Sequence, residues 1–281
     1  MHRNYRVFLL GSFFISLISC GKFYKEQIPS YLHISKMNLS TNYPTEGSNA
    51  NNIENIWVYV DDQTIGVFQL PVTLPVLYEG VHQIKIKAGI KNNGIITTRV
   101  PYPFYETYTD NINLIKDSVI TLNPTIHYNS NTTFTWKEDF EGAAFSIVDT
   151  SGTDTVMKVN TTDVYEGNKC GIVNLDASKV YYEGRSSSAF TLPQGGLPVY
   201  LEVNYKCNNV FGIGVYSANY TSPQVYLFVN PSTTWQKIYV ELTSLISGAG
   251  NLNPFRVFFS MYKSDTVAAP QLLIDNVKLV H

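Results

Sequence analysis

The sequence has little charge and few side chains that carry chemistry. Charged residues make up 15% of the 281 residues, and 20 Lys and Arg nearly balance 22 Asp and Glu. Phosphate binding needs grouped lysines and arginines, and their even scatter argues against a nucleic-acid partner. The chain has three cysteines and five histidines, none of them in a CxxC, HExxH or GxSxG motif. The sequence therefore predicts a non-enzymatic protein without a catalytic cofactor.

Long apolar runs are missing beyond the N-terminus. Residues 7–18 form an apolar stretch after Arg3 and Arg6 that is short for a bilayer span and typical of a signal peptide. It ends in Leu17-Ile18-Ser19-Cys20-Gly21, which resembles the lipobox of bacterial lipoproteins. The resemblance implies loss of residues 1–19, lipidation of Cys20 and a tether over residues 20–29. An ordinary secretory signal with a chance cysteine is the alternative.

The lipidated cysteine implies a membrane partner, reached through acyl chains and not through a spanning helix. We expect the protein at the outer membrane. Its periplasmic or surface orientation stays open, because residues 21–26 match the acidic export signal of some Bacteroidota lipoproteins poorly. Cys170 and Cys207 both fall in strand-like runs, and we expect two buried free thiols, although a disulfide is an alternative in an exported protein.

Short alternating runs separated by turn residues dominate the rest of the chain. This pattern, with abundant Tyr, Val, Thr and Ile, is typical of an all-β protein. Seven runs precede the polar stretch His127–Thr135, and ten runs follow it. We therefore predict an Ig-like β-sandwich over residues 30–128, a linker over 129–137, and a jelly roll over 138–281.

Two further resemblances refine these domains. Val58 to Asp62, Ile65-Gly66 and Glu79 to Lys85 resemble the PEGA family of small extracytoplasmic β-sandwiches, which implies a structural or interaction module. His82, at a strand start, is then expected to be structural. Glu138 to Glu141, Thr234 to Leu242 and Leu272 to Leu279 resemble the galactose-binding-like jelly rolls that include many carbohydrate-binding modules. In that family an acidic residue of the last strand often helps to bind a structural calcium ion, so the candidate ligands here are Glu138, Asp139, Glu141 and Asp275; a solvated domain edge is the alternative.

As a whole, the chain resembles the two-domain outer-membrane lipoproteins of Bacteroidota. Three Asp-Ser/Thr-apolar tripeptides match the O-glycosylation signal of that phylum, with acceptors at Ser118, Thr155 and Thr266. Each tripeptide is equally consistent with a turn that enters a strand.

Two groups of aromatic residues are candidate recognition elements. The first lies in a proline-stiffened segment and comprises Arg99, Tyr102, Phe104, Tyr105 and Tyr108, side chains of the kind that dominate protein interfaces. Packing against the first sandwich is the alternative. The second group comprises Tyr181, Tyr182, Tyr216 and Tyr220, whose rings could stack on sugars. Ordinary sandwich surface is the alternative there.

These groups support two hypotheses about function. The first is an accessory subunit of an outer-membrane protein complex, which docks through the first aromatic group. The alternative is a surface lipoprotein whose jelly roll binds a glycan through the second group.

Overall fold

The computed structural model describes residues 27–217, 224–250 and 252–281 and is built almost entirely of β-strands. The all-β prediction is confirmed, and two β-sandwiches follow one another along the chain. The predicted signal peptide, Cys20 and Tyr220 lie outside the described residues.

The first sandwich packs a three-stranded sheet, in the order β5-β1-β9, against a sheet in the order β4-β3-β6-β7, in which β8 also pairs with β6. Strands β10 and β2 form a small additional sheet. The strands are β1 (Ser30–Ile34), β2 (Asn38–Leu39), β3 (Asn55–Val60), β4 (Gln63–Gln69), β5 (Val72–Val76), β6 (Gly80–Lys91), β7 (Arg99–Pro101), β8 (Tyr108–Leu114), β9 (Val119–Leu122) and β10 (Thr125–Ile126).

The core of this sandwich is formed by the apolar side chains at alternate positions of each strand, which point inward. In β3, Ile56, Val58 and Val60 point inward and are fully buried. Residues of one strand point to opposite faces in turn, so Trp57 and Tyr59 lie on the outer face. One of the seven runs predicted before the linker covers residues 95–100. In the structure only its last two residues belong to a strand, because residues 93–98 form turns.

The second sandwich begins at β11 (Phe134–Glu138), inside the predicted linker. One sheet has the order β13-β14-β21-β16-β19 with β11 beside β21, and the other has the order β12-β15-β20-β17-β18. Its further strands are β12 (Ile147–Asp149), β13 (Lys158–Asn160), β14 (Cys170–Asn174), β15 (Tyr181–Ser186), β16 (Tyr200–Cys207), β17 (Phe211–Ser217), β18 (Gln224–Val229), β19 (Ser232–Glu241), β20 (Phe255–Tyr262) and β21 (Gln271–Val280).

The first sandwich covers part of the outer face of the six-stranded sheet, and the segment with Asp163 and Tyr165 lies against another part, at Lys206 and Trp235. On β16, Leu201 and Val203 point into the core of the second sandwich, so Tyr200 and Glu202 point toward the first. Tyr200 packs in one cluster with side chains of the first sandwich, together with Tyr239 and Val280. The two sandwiches therefore share a buried contact.

A buried charge network lies within this contact. Glu202 pairs with Lys237 at 2.7 Å and accepts a hydrogen bond of 2.8 Å from the Tyr102 hydroxyl. Lys278 donates to the Ser48 carbonyl at 2.5 Å. Burial alone would raise the pKa of Glu202, but the nearby ammonium groups of Lys237 and Lys278 outweigh it and lower that pKa. Burial lowers the pKa of Lys278 to about 7.

Two short helices, α1 (Tyr43–Glu46) and α2 (Thr243–Gly248), complete the described part of the chain. Within that part, no helix has the length and apolar character needed to cross a membrane. Cys170 and Cys207 are both buried and free, which confirms the prediction of two unpaired thiols.

Candidate functional site

The second sandwich has one sheet face that the first sandwich partly covers and one that it leaves free. The first sandwich lies on the six-stranded sheet, whereas the outer face of the β12-β15-β20-β17-β18 sheet carries side chains that reach solvent. We call this outer face the open face; its main side chains are Tyr181, Glu183, Arg185, Tyr216, Phe228 and Tyr262.

Strand register places these side chains in rows. Glu183 lies opposite Ser260, Ser260 opposite Gly212, and Gly212 opposite Phe228. At about 4.8 Å between neighbouring strands, this row extends about 14 Å across the sheet. Because Gly212 and Ser260 are small, the middle of the row is low between larger side chains. The face is long enough for a chain of sugars.

A stacked tyrosine pair forms one end of the open face. Tyr181 lies opposite Tyr262 in the register, and their ring centroids are 4.2 Å apart at an interplanar angle of 28°. Tyr262 is 67% exposed. An exposed aromatic ring offers an apolar face with a hydroxyl at its edge.

Glu183 is held between two phenols beside this pair. Its two carboxylate oxygens accept hydrogen bonds from the hydroxyls of Tyr181, at 2.7 Å, and of Tyr216. Burial and the bond to Glu183 raise the pKa of both tyrosines above the ordinary value, so they stay protonated and donate. Glu183 as a whole is only 3% exposed, and the phenols fix the position of its carboxylate.

Arg185 and Phe258 form the next row of the face. The Arg185 guanidinium lies 5.3 Å from the ring centroid of Tyr216, a cation–π contact that orients it. Phe258 lies opposite both Arg185 and Gly214. A Cβ atom at Gly214 would lie 2.5 Å from the Phe258 ring, so only glycine lets this ring lie against the strand. Phe258 is fully buried, so it supports this row from beneath, and Arg185 and Tyr216 are the side chains of the row that reach solvent.

Two of the four tyrosines proposed to bind a glycan lie on this face. Tyr181 and Tyr216 meet at Glu183. Tyr182 differs from the expectation: it points into the core and is fully buried, because neighbours on a strand face opposite sides of the sheet. Sequence reasoning missed Tyr262 and Arg185, although it noted Glu183 beside the two tyrosines. The alternation of Tyr181, Glu183 and Arg185 was the signal that could have placed them together.

The proposed docking residues occupy a different position from the one expected. Tyr102, Phe104 and Tyr105 are buried between the two sandwiches, where Tyr102 lies 4.9 Å from the Tyr239 ring and the Tyr105 hydroxyl lies 3.0 Å from the Tyr239 hydroxyl. These rings therefore face the second sandwich and not an external protein. Arg99 is half-buried, and the half-buried Tyr108 packs against the apolar cluster that contains these rings.

The four carboxylates proposed for calcium do not form a metal site. Among the described residues, no group of three or more acidic, histidine or cysteine side chains is placed to hold an ion. Glu138, Asp139, Glu141 and Asp275 instead accept bonds from backbone N–H groups. The Lys169 ammonium binds the Glu141 and Gly142 carbonyls, both at 3.2 Å. The chain's own ammonium group thus lies beside Glu141, one of the proposed ligands.

The three proposed O-glycosylation acceptors lie in turns or at their edges. Ser118 and Thr155 are half-buried, and Thr266 is exposed. His82 bonds to Asp61 at 2.5 Å, which raises the pKa of the imidazole and fits the structural role expected for it.

Comparison with known proteins found no matching family model and no matching curated protein. Solved structures similar to this chain include a xylan-binding domain of carbohydrate-binding module family 22, with a TM-score of 0.38 and 13% identity over 52% of this chain and 93% of that one. A family 29 module complexed with mannohexaose gives a TM-score of 0.36 and 16% identity, covering 54% and 92%. A family 11 module from Clostridium thermocellum, in complex with a β-1,3-1,4-mixed-linked tetrasaccharide, gives 0.33 and 18%, covering 51% and 94%. At TM-scores this low, the likeness does not assign a ligand to this chain.

Proposed function

We propose that this chain is a non-catalytic, lipid-anchored protein of the bacterial outer membrane that binds a glycan on the open face. The observation that carries the proposal is the exposed Tyr262 ring, stacked on Tyr181 beside a carboxylate that two phenols hold in place. Flat rings suit the apolar faces of sugar rings, and the half-buried Arg185 guanidinium beside them suits sugar hydroxyls. Glu183 is committed to two phenols, which fits binding better than the free acid–base pair of a glycosidase.

The accessory-subunit hypothesis has less support. Docking through Tyr102, Phe104 and Tyr105 would require the two sandwiches to separate and expose Glu202 and Lys237. Separation would also expose the aromatic and apolar side chains packed between the sandwiches, at a cost of about 25 cal/mol per Å² of apolar surface. The open face needs no such rearrangement.

A glycan array followed by affinity electrophoresis tests the binding proposal. The array includes xylan, mannohexaose, mixed-linked β-glucan and bacterial surface polysaccharides. Replacement of Tyr262 by alanine removes the stacking ring, and we expect at least a tenfold loss of affinity for the glycan that binds, equivalent to about 1.4 kcal/mol.

Tyr59→Ala is the matched control, because Tyr59 is a half-buried tyrosine on the outer face of the first sandwich. It should leave the affinity unchanged. Absence of binding across the array, or equal loss in the two variants, would contradict the proposal.

The anchor is tested separately by Cys20→Ser. We expect the wild-type protein to partition into the detergent phase of a Triton X-114 extraction and the variant to stay in the aqueous phase, because only a thiol can carry the thioether-linked lipid. Mass spectrometry of the N-terminal peptide checks the modification. Recovery of both proteins from the aqueous phase would remove the anchor from the proposal and leave the glycan site untouched.

A further inference from the structure

Exposed apolar side chains cluster at one end of the first sandwich. Ile28, Leu77, Val81, Ile115 and Val119 are each more than half exposed, and we call them the apolar end. Singly exposed apolar residues are common on protein surfaces, but a group at one end calls for an explanation.

Hydrogen bonds hold the loops of the apolar end together. Asp117 donates its backbone N–H to the Pro29 carbonyl at 2.9 Å, which joins the chain at Ile28 to the turn after Ile115. Ser30 donates its hydroxyl to the Tyr78 carbonyl at 2.9 Å, beside Leu77. Lys116 and Glu79 form an ion pair between the same loops. The group is thus a structured surface and not a set of independent tips.

The opposite end of the first sandwich holds the second sandwich. Strand β6 starts at Gly80, beside the apolar end, and finishes at Lys91, next to Asn93, whose N–H donates to the Tyr239 carbonyl at 2.8 Å. At about 3.3 Å per residue, this strand extends roughly 36 Å. The second sandwich therefore lies one full strand length from the apolar end.

The described chain begins at Gln27, next to the apolar end, and Cys20 precedes it by seven residues. A fully extended segment of seven residues spans at most about 25 Å. A lipid on Cys20 would therefore hold the apolar end close to the bilayer surface.

We propose that the apolar end is a membrane-contact surface that rests in the headgroup region of the bilayer; this rests on the proposed lipid anchor. The charges nearby suit that position, since Lys116 pairs with Glu79, His82 with Asp61 and Lys85 with Asp62. Asp117 is the remaining carboxylate of the 115–118 turn, so a zwitterionic bilayer fits better than an anionic one. Contact at this end holds the first sandwich upright and the second sandwich away from the lipid.

Vesicle partitioning tests this contact without relying on lipidation in the cell. The chain from Cys20 to His281 is alkylated at Cys20 with one fourteen-carbon chain, which is selective because Cys170 and Cys207 are buried. One such chain alone binds with a constant of about 10⁴ M⁻¹, so an added contact is measurable. The vesicles contain phosphatidylethanolamine and phosphatidylcholine in equal parts.

Leu77→Asp combined with Ile115→Asp should lower the partition constant roughly tenfold or more, because two apolar side chains leave the interface. Leu197→Asp is the matched control: Leu197 is 57% exposed, against 59% for Leu77, but belongs to the second sandwich. Its partition constant should stay within about twofold of the unsubstituted chain. Unchanged melting temperatures show that all three chains are folded.

Equal partitioning of the double variant and the unsubstituted chain would overturn the proposal, whatever the fate of Cys20 in the cell. A photo-crosslinking residue in place of Leu77 gives an independent readout in the native envelope. Crosslinks to phospholipid support the contact. Crosslinks to a protein, or to a second copy of this chain, in place of lipid would assign the apolar end to a protein interface and overturn it.

Discussion

Tyr181 and Tyr182 are neighbours in the chain but have opposite environments. Tyr181 reaches the open face and bonds to Glu183, whereas Tyr182 lies in the core with its hydroxyl unbonded among the described residues. A Cβ atom at Gly184 would lie 2.0 Å from that hydroxyl, so the glycine makes room for it. Side chains along β15 point in turn to the core and to the open face. The position of a residue in this strand therefore determines whether it packs in the core or lies at the candidate site.

Tyr182→Phe should stabilise the protein without affecting glycan binding. The change removes a buried hydroxyl that has no partner in the described chain and keeps the ring, so we expect the free energy of unfolding to rise by about 1 kcal/mol. Urea unfolding measures the stability, and affinity electrophoresis measures the binding. Loss of binding would place Tyr182 in the site and contradict the assignment of the two faces.

Asp275→Asn should remove a pH dependence of stability. Burial raises the pKa of Asp275 to about 7 in the folded protein, from an ordinary value of 3.8. The folded state therefore holds this proton more tightly than the unfolded state, and that stabilisation is lost as the pH rises from about 4 to about 7.

Relative to the variant, the wild-type protein should lose about 2–4 kcal/mol of unfolding free energy over this interval. Urea unfolding at pH 4, 5, 6 and 7 provides the comparison. Below pH 7 the neighbouring Lys278, whose pKa is also about 7, is increasingly protonated in both proteins, so the difference between them isolates Asp275. Parallel pH curves would contradict the prediction.

At the element scale, period-two patterning predicts most strands but misses β15. The inward positions of β15 are Tyr182, Gly184 and Ser186, which contain only one large apolar side chain, so the segment lacks the usual alternation. Its place beside β20 depends on backbone pairing with Phe258 to Tyr262. This strand carries half of the side chains named for the open face, and sequence analysis found its tyrosines but not the strand, for this physical reason.

The aromatic loop between β7 and β8 shows a second limit of sequence reasoning. Tyr102, Phe104 and Tyr105 have the composition of an interface, and they do form one, but with the second sandwich of the same chain. Composition predicts burial against a partner. It does not predict which surface that partner is. Here the partner surface is the sheet face that carries Glu202 and Lys237, and the register of β16 and β19 determines that face.

Tyr102→Ala should uncouple the two sandwiches. The ring packs against Tyr200 and Tyr239, and its hydroxyl bonds to Glu202, so its loss leaves a cavity and one fewer donor for a buried carboxylate. We expect a loss of about 3–5 kcal/mol and two calorimetric transitions in place of one. The control Tyr108→Ala, at a half-buried position outside this contact, should keep the single transition. A single, barely shifted transition for Tyr102→Ala would contradict the structural role of the contact.

At the scale of the whole molecule, the apolar end, the first sandwich, the buried charge network and the second sandwich follow one another in space. The apolar end lies next to the start of the described chain, the first sandwich acts as a spacer, and the buried charge network joins it to the second sandwich. This junction covers part of the six-stranded sheet. The open face of the other sheet is then available to a ligand at a distance from the proposed membrane surface.

The most direct test of the central claim is a titration of the ¹⁵N-labelled protein with the glycan that binds in the array. The account predicts that backbone shifts concentrate on β15, β17 and β20, around Tyr181, Gly212 and Tyr262, and that the first sandwich does not respond. Shifts concentrated on the first sandwich, or on the buried contact between the sandwiches, would contradict the assignment of the open face as the glycan site.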